Sequence, residues 1–123
     1  MNKKHITHGK LKVFMILFLA VILIVLVAVC AKKIKLSQNE KNIIGTWKNS
    51  NSENVITVQD SDTLILYKDI PEAGLYHGNA SYHFSYTDTI CVTQDDISAE
   101  FCVDVDENQL IIYFAGQVYL LLQ

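Results

Sequence analysis

Positive charge is scarce beyond residue 41, where Lys48 and Lys68 stand against twelve acids, a balance of −10. Such a tract repels the phosphate charge that dominates nucleic-acid binding, so a nucleic-acid partner is disfavoured. Helical periodicity is also missing there: no ten-residue stretch after residue 42 has a convincing amphipathic pattern. The spacing leaves no room for the crossovers that parallel strands require. Signatures of catalysis are absent in turn, with no Ser/His/Asp arrangement that spacing could support, no phosphate-binding loop and no C-x-x-C pair. A length of 123 residues allows one domain and disfavours a large multi-domain enzyme.

What is present divides into two materials. Residues 1 to 41 carry eight lysines against Glu40, a balance of +7, and contain an unbroken apolar run from Val13 to Ala31. As a helix those 19 residues would span ~28 Å, close to the ~30 Å thickness of a bilayer's hydrocarbon core. No charge, proline or glycine interrupts the run, and Lys10, Lys12, Lys32, Lys33 and Lys35 bracket it where their stems can snorkel to both headgroup regions. An uncleaved signal anchor or transmembrane helix over 13–31 is the preferred reading, behind a basic tail over 1–12. Two alternatives stay open. Val29-Cys30-Ala31 is a loose match to a signal-peptide cleavage site, and Val27-Ala28-Val29-Cys30 is similar to a lipoprotein signal with Cys30 as lipid acceptor, except that Val29 stands where a small residue is wanted. Lysines flank the run almost evenly, so the positive-inside rule does not choose an orientation. The short tail and a pair of cysteines, Cys91 and Cys102, favour a C-terminal domain outside the cytoplasm.

Ile34 to Asn42 is polar and lacks a sustained helical period, which predicts a linker over 32–42. From Ile43 the period becomes two. Runs rich in Val, Ile, Tyr, Phe and Thr predict strands near 45–49, 54–58, 63–68, 75–78, 80–87, 89–94, 99–105, 109–114 and 117–122, separated by Asp, Asn, Ser and Gly turns. The expected fold is an all-β, up-and-down antiparallel meander or small barrel. Alternation sets Tyr82, Phe84 and Tyr86 against Ser81, His83, Ser85 and Thr87, one packed face and one wet. The last hairpin departs from this, because 110–114 and 118–122 are apolar on both faces. Its outer face should be covered, either by the sheet's own loops as it curls or by a partner or membrane surface.

Ile44-Gly45-Thr46-Trp47-Lys48, opening a strand meander behind an export or anchor segment, resembles the G-x-W signature at the first strand of lipocalin-like proteins, in which the Trp closes one end of the barrel. Phe84 to Thr87, Ile90, Phe101 to Val105 and Gln109-Leu110 look like the small lipocalin-like domains of secreted or anchored bacterial proteins. Residues 43–123 carry the resemblance. It implies a barrel that binds a small apolar ligand, a peptide or an envelope protein without catalysis, although 81 residues leave little room for a wide calyx. An eight-stranded barrel is just wide enough to be filled by its own side chains or to hold one small ligand. Trp47, Tyr67, Tyr76, Tyr82, Phe84 and Tyr86 are the candidate ligand-binding residues, beside the small Gly78 and Ala80; the alternative is that they simply fill the core and the domain is a structural or interaction module.

Remaining chemistry is sparse. A hairpin closed by the loop Asp95 to Ser98 would set Cys91 opposite Cys102, within reach of a disulfide in an oxidising compartment. His77 and His83 lack a third ligand at metal spacing. Asp104, Asp106 and Asn108 mimic the start of a calcium loop, but Gln109 replaces its glycine and Ala115 its bidentate glutamate. Asn79-Ala80-Ser81 fits a glycosylation sequon, which matters only in a eukaryotic secretory pathway. No cofactor or metal is expected.

Overall fold

A computed structural model describes residues 3–123, with side chains from Lys10 onward; the first two residues of the expected basic tail lie outside the described residues. The chain divides into two compact units with the boundary between Ile34 and Lys35. One helix, α1 (Lys3–Asn42), supplies nearly all of the first unit and the first eight residues of the second. Its stretch from Lys10 is long and apolar enough to cross a membrane, and the side chains of Val13 to Val29 are solvent-exposed in the structure. A helix apolar all round, rather than along one stripe, is what a lipid environment selects.

Residues 32–42, expected as a non-helical linker, continue α1 instead. The physical reason is propagation: Lys, Leu, Gln and Glu are good helix formers, no Gly or Pro intervenes, and the preceding turns have already met the cost of nucleation. The last helical bond runs from the Ile43 amide to the Asn39 carbonyl at 3.0 Å. Asn39 is buried, and its side-chain amide donates to the Thr87 carbonyl at 2.8 Å, which fastens this final turn to the strands.

The second unit is a closed eight-stranded antiparallel barrel in sequence order, as the meander pattern predicts. Its strands are β1 (Gly45–Lys48), β2 (Asn54–Val58), β3 (Thr63–Leu66), β4 (Gly78–Tyr86), β5 (Thr89–Gln94), β6 (Ile97–Val105), β7 (Gln109–Phe114) and β8 (Gln117–Leu122). Residues 75–78 do not form the expected separate strand. Residues 75–77 end the long 67–77 connection, which holds a 3-10 turn over Pro71–Ala73 terminated by Gly74 at φ +74°, and Gly78 opens β4. Inward positions such as Val58, Leu64, Leu66, Ile90, Val92, Val103, Leu110 and Leu121 are buried, while their neighbours along each strand face water. Seven of the eight seams are paired along several rungs. The eighth, between β1 and β8, closes through the single pair Lys48–Leu122.

Up-and-down order gives the barrel two distinct ends. The turns 59–62, 87–88 and 106–108 share one end with the last turn of α1, and the connections 49–53, 67–77, 95–96 and 115–116 share the other.

Two expectations about hairpins change. The β5–β6 turn has two residues, Asp95-Asp96, with Asp95 in the left-handed region that Asp tolerates. Gln94 therefore pairs with Ile97, Cys91 with Glu100, and Thr89 with Cys102. Cys91 and Cys102 share the outer face, as expected, but sit diagonally rather than opposite, and both are free thiols. Diagonal neighbours lie ~7–8 Å apart, beyond ordinary disulfide reach. Secondly, the outer face of the last hairpin is not covered by the protein's own loops: Tyr113, Val118, Leu120 and Leu122 are all exposed.

Candidate functional site

Period-two alternation of aliphatic residues builds the inner wall of the barrel. Ile56 and Val58, Leu64 and Leu66, Ile90 and Val92, Leu110 and Ile112, with Phe101, Phe114, Tyr119 and Leu121, surround a cavity of about 470 Å³. Ile43, the residue that follows α1, also lines it. Its polar contacts are confined to Asn49, Ser50, Lys68, Asp69 and Glu72, all from the connections at the end away from α1. These make a hydrophilic mouth over an oily interior. The volume falls in the range of ~300–1,000 Å³ usual for ligand sites.

Electrostatics follow the same division. Lys68 bridges Glu53 at 3.2 Å, and this hydrogen bond, with the lysine charge, lowers the Glu53 carboxyl below its ordinary range. Asp69 accepts the His77 backbone amide at 2.9 Å and meets the His77 ring Nδ1 at 2.6 Å; these contacts, the amide foremost, lower its pKa as well. At the opposite end Asp60 Oδ1 accepts the amides of Asp62 and Thr63 and the Thr63 hydroxyl, which brings its pKa down to about 2. Tyr82 is pushed up to about 12, first by burial and then by the nearby Asp60 charge, and its hydroxyl donates to the Asp60 carbonyl at 2.6 Å. A phenol so held is a neutral structural donor at physiological pH.

The candidate aromatic residues separate into two groups. Trp47 is 0% exposed, and its indole donates to the Ile43 carbonyl at 2.8 Å, so it closes the barrel at the helix end, as its place in the G-x-W motif implies. Tyr82 is buried and meets the half-buried Phe84 edge to face, with ring centroids 6.4 Å apart. None of the six candidates lines the cavity. Tyr86 is 70% exposed because a bulge between Phe84 and Tyr86 breaks the alternation that would have aimed it inward. Tyr76 is exposed on the long connection, and Tyr67, one residue past the inward Leu66, points outward and bonds the Thr57 hydroxyl at 2.9 Å. Parity with Leu64 and Leu66 already carried that signal for Tyr67. Paired aliphatics at every second position mark the true wall, and sequence reasoning weighted aromatic rings over them.

Other polar groups have local employment. Asp106 Oδ1 accepts the amides of Asn108 and Gln109 at 2.9 and 2.8 Å, so the resemblance to a calcium loop resolves as a capped turn. His77 and His83 are exposed, and among the described residues no three His, Cys, Asp or Glu side chains converge as a metal site would require. Cys30 is exposed on α1. Comparisons of the chain with protein-family models, with curated proteins and with solved structures find no match.

Proposed function

We propose that this chain is a membrane-anchored, lipocalin-like binding protein whose barrel holds one small apolar molecule, without catalysis. The observation that carries the reading is the cavity of about 470 Å³ with an aliphatic wall and polar groups only at its mouth. Burying apolar surface there contributes ~25 cal/mol per Å² of area removed from water, enough for a ligand of modest size to bind without directional contacts. The interior offers no charged group, so selection falls on shape and length. Residues 13–31 would hold the chain in the membrane as a single pass, with the barrel on the extracytoplasmic side.

Titration of an apolar fluorophore into residues 35–123 tests the pocket. Saturable one-to-one binding is expected, weakened about tenfold or more by Ile112→Phe, which fills the cavity. An unchanged affinity in that variant, or no saturation in the parent, rejects the proposal in favour of a structural module. Exposed Cys102 tests the location: a membrane-impermeant maleimide should label it on intact cells.

A further inference from the structure

The β1–β8 seam leaves a strand edge that the barrel does not use. β8 has six residues, and only Leu122 finds a partner on β1; beyond Lys48 the chain leaves the sheet through 49–53, so, among the described residues, 117–121 has no strand partner on that side. The two-residue turn Ala115-Gly116 fixes which groups are left over. It makes Phe114–Gln117 a hydrogen-bonded rung, and the rungs then alternate. Tyr119 and Leu121 therefore bond back to β7, whereas the amides and carbonyls of Val118 and Leu120 point to the open side. Leu122, in phase with them, is the residue that pairs with Lys48. Tyr119 reports the same gap, since it is 45% exposed although it shares the inward parity of the buried Leu121.

Edges of this kind are normally protected by a charge, a proline or a bulge. Here residues 108–123 contain no charged side chain at all, while residues 42–107 concentrate the −10 balance. Two such barrels, each with a negative balance, can meet here without opposing like charges. The exposed Val118, Leu120 and Tyr113 extend the edge with an apolar outer stripe. An antiparallel edge is also its own complement, and a common membrane raises the encounter frequency of tethered copies.

We infer that β8 pairs antiparallel with β8 of a second copy of this chain. One register satisfies every leftover group: Val118 exchanges both backbone bonds with the partner's Leu120, Leu120 does so with the partner's Val118, and Tyr119 faces its own copy across the two-fold axis. The pairing covers Tyr119 and completes the wall beside the cavity.

Single-cysteine scanning of the full chain in membranes tests this register, with Cys30, Cys91 and Cys102 replaced by Ser. Under mild oxidation Tyr119→Cys should form a disulfide dimer about tenfold more efficiently than Val118→Cys or Leu120→Cys alone, because only residue 119 sits opposite itself. Coexpressing the Val118→Cys and Leu120→Cys chains should restore the dimer. Val118→Pro removes an outward donor that β7 does not use, and placed in the Tyr119→Cys chain it should abolish the crosslink. Readout at residue 113 in the same background guards against misfolding, since Tyr113→Cys should stay monomeric and accessible to maleimide with or without the proline. Equal crosslinking at 113, 118, 119 and 120 would mean random collision and overturns the pairing. So does an absence of crosslinks with β8 thiols shielded from maleimide, which would assign the edge to a different protein or to the bilayer surface.

Discussion

The two ends of the barrel are built on opposite plans. One is sealed from the short segment 39–47: Asn39 fastens the last turn of α1 to Thr87, the Ile43 carbonyl accepts the Trp47 indole, and Gly45 lies against Gln123. Its three turns are short, at 59–62, 87–88 and 106–108. The other end is framed by the eleven-residue connection 67–77 and surface ion pairs, and its polar groups ring an opening. The lesson is that the sealed end is held by buried side chains and the hydrogen bonds of Asn39 and Trp47, whereas the charged groups of the mouth are exposed and its long connection is anchored through the buried Leu75.

Substitutions can break that contrast. Trp47→Ala should cost about 3–5 kcal/mol, because it empties the most completely buried site of the sealed end, and thermal or denaturant unfolding measures it. Next in size, Gly45→Ala should cost about 1–3 kcal/mol, since the glycine sits at φ +142° and an added Cβ would collide with the Gln123 amide. Pairing it with Gln123→Ala relieves the collision but not the backbone strain, so partial recovery is the expected result. Asn39→Ala leaves the Thr87 carbonyl without its partner and should cost about 1–2 kcal/mol. At the mouth, by contrast, Lys68→Ala removes an exposed pair and should change stability by less than about 1 kcal/mol. Substitution of an exposed mouth residue that proved as costly as Asn39→Ala would erase the distinction.

A smaller, pH-dependent effect sharpens it. Asp60 titrates at about 2 in the folded protein against an ordinary 3.8, so its contribution is fully present above pH 4 and is lost as pH falls through about 2. Asp62 works against it, being raised by the hydrogen bond it shares with Asp60 and by that carboxylate's charge. Both effects vanish in Asp60→Asn, and melting temperatures recorded between pH 5 and 2 should show a flatter acid slope than the parent.

Much of the architecture was legible because it rests on periodicity. The change from an unbroken apolar run to alternation at Ile43 separates helix from sheet, and eight of the nine expected strands correspond to those of the barrel. What escaped depends on contacts no local pattern encodes. Residues 32–42 lack helical periodicity yet are helical because a long helix feeds into them. The β5–β6 register turned on whether the tip held two residues or four, a choice settled by Asp95 accepting a left-handed conformation, and it moved Cys91 away from Cys102. Trp47 could be read from its motif. The cavity wall was written in Ile56, Val58, Leu64, Leu66, Leu110 and Ile112, residues that look like any core until closure leaves space between them.

A cylinder zipped along seven seams and buttoned at one rung on the eighth will breathe at the button. Rupture of the Lys48–Leu122 rung exposes the oily interior through the side wall without disturbing the plug at the helix end or the loops around the rim. On the proposed reading, a ligand passing through such a slit would be threaded edgewise rather than dropped through the rim.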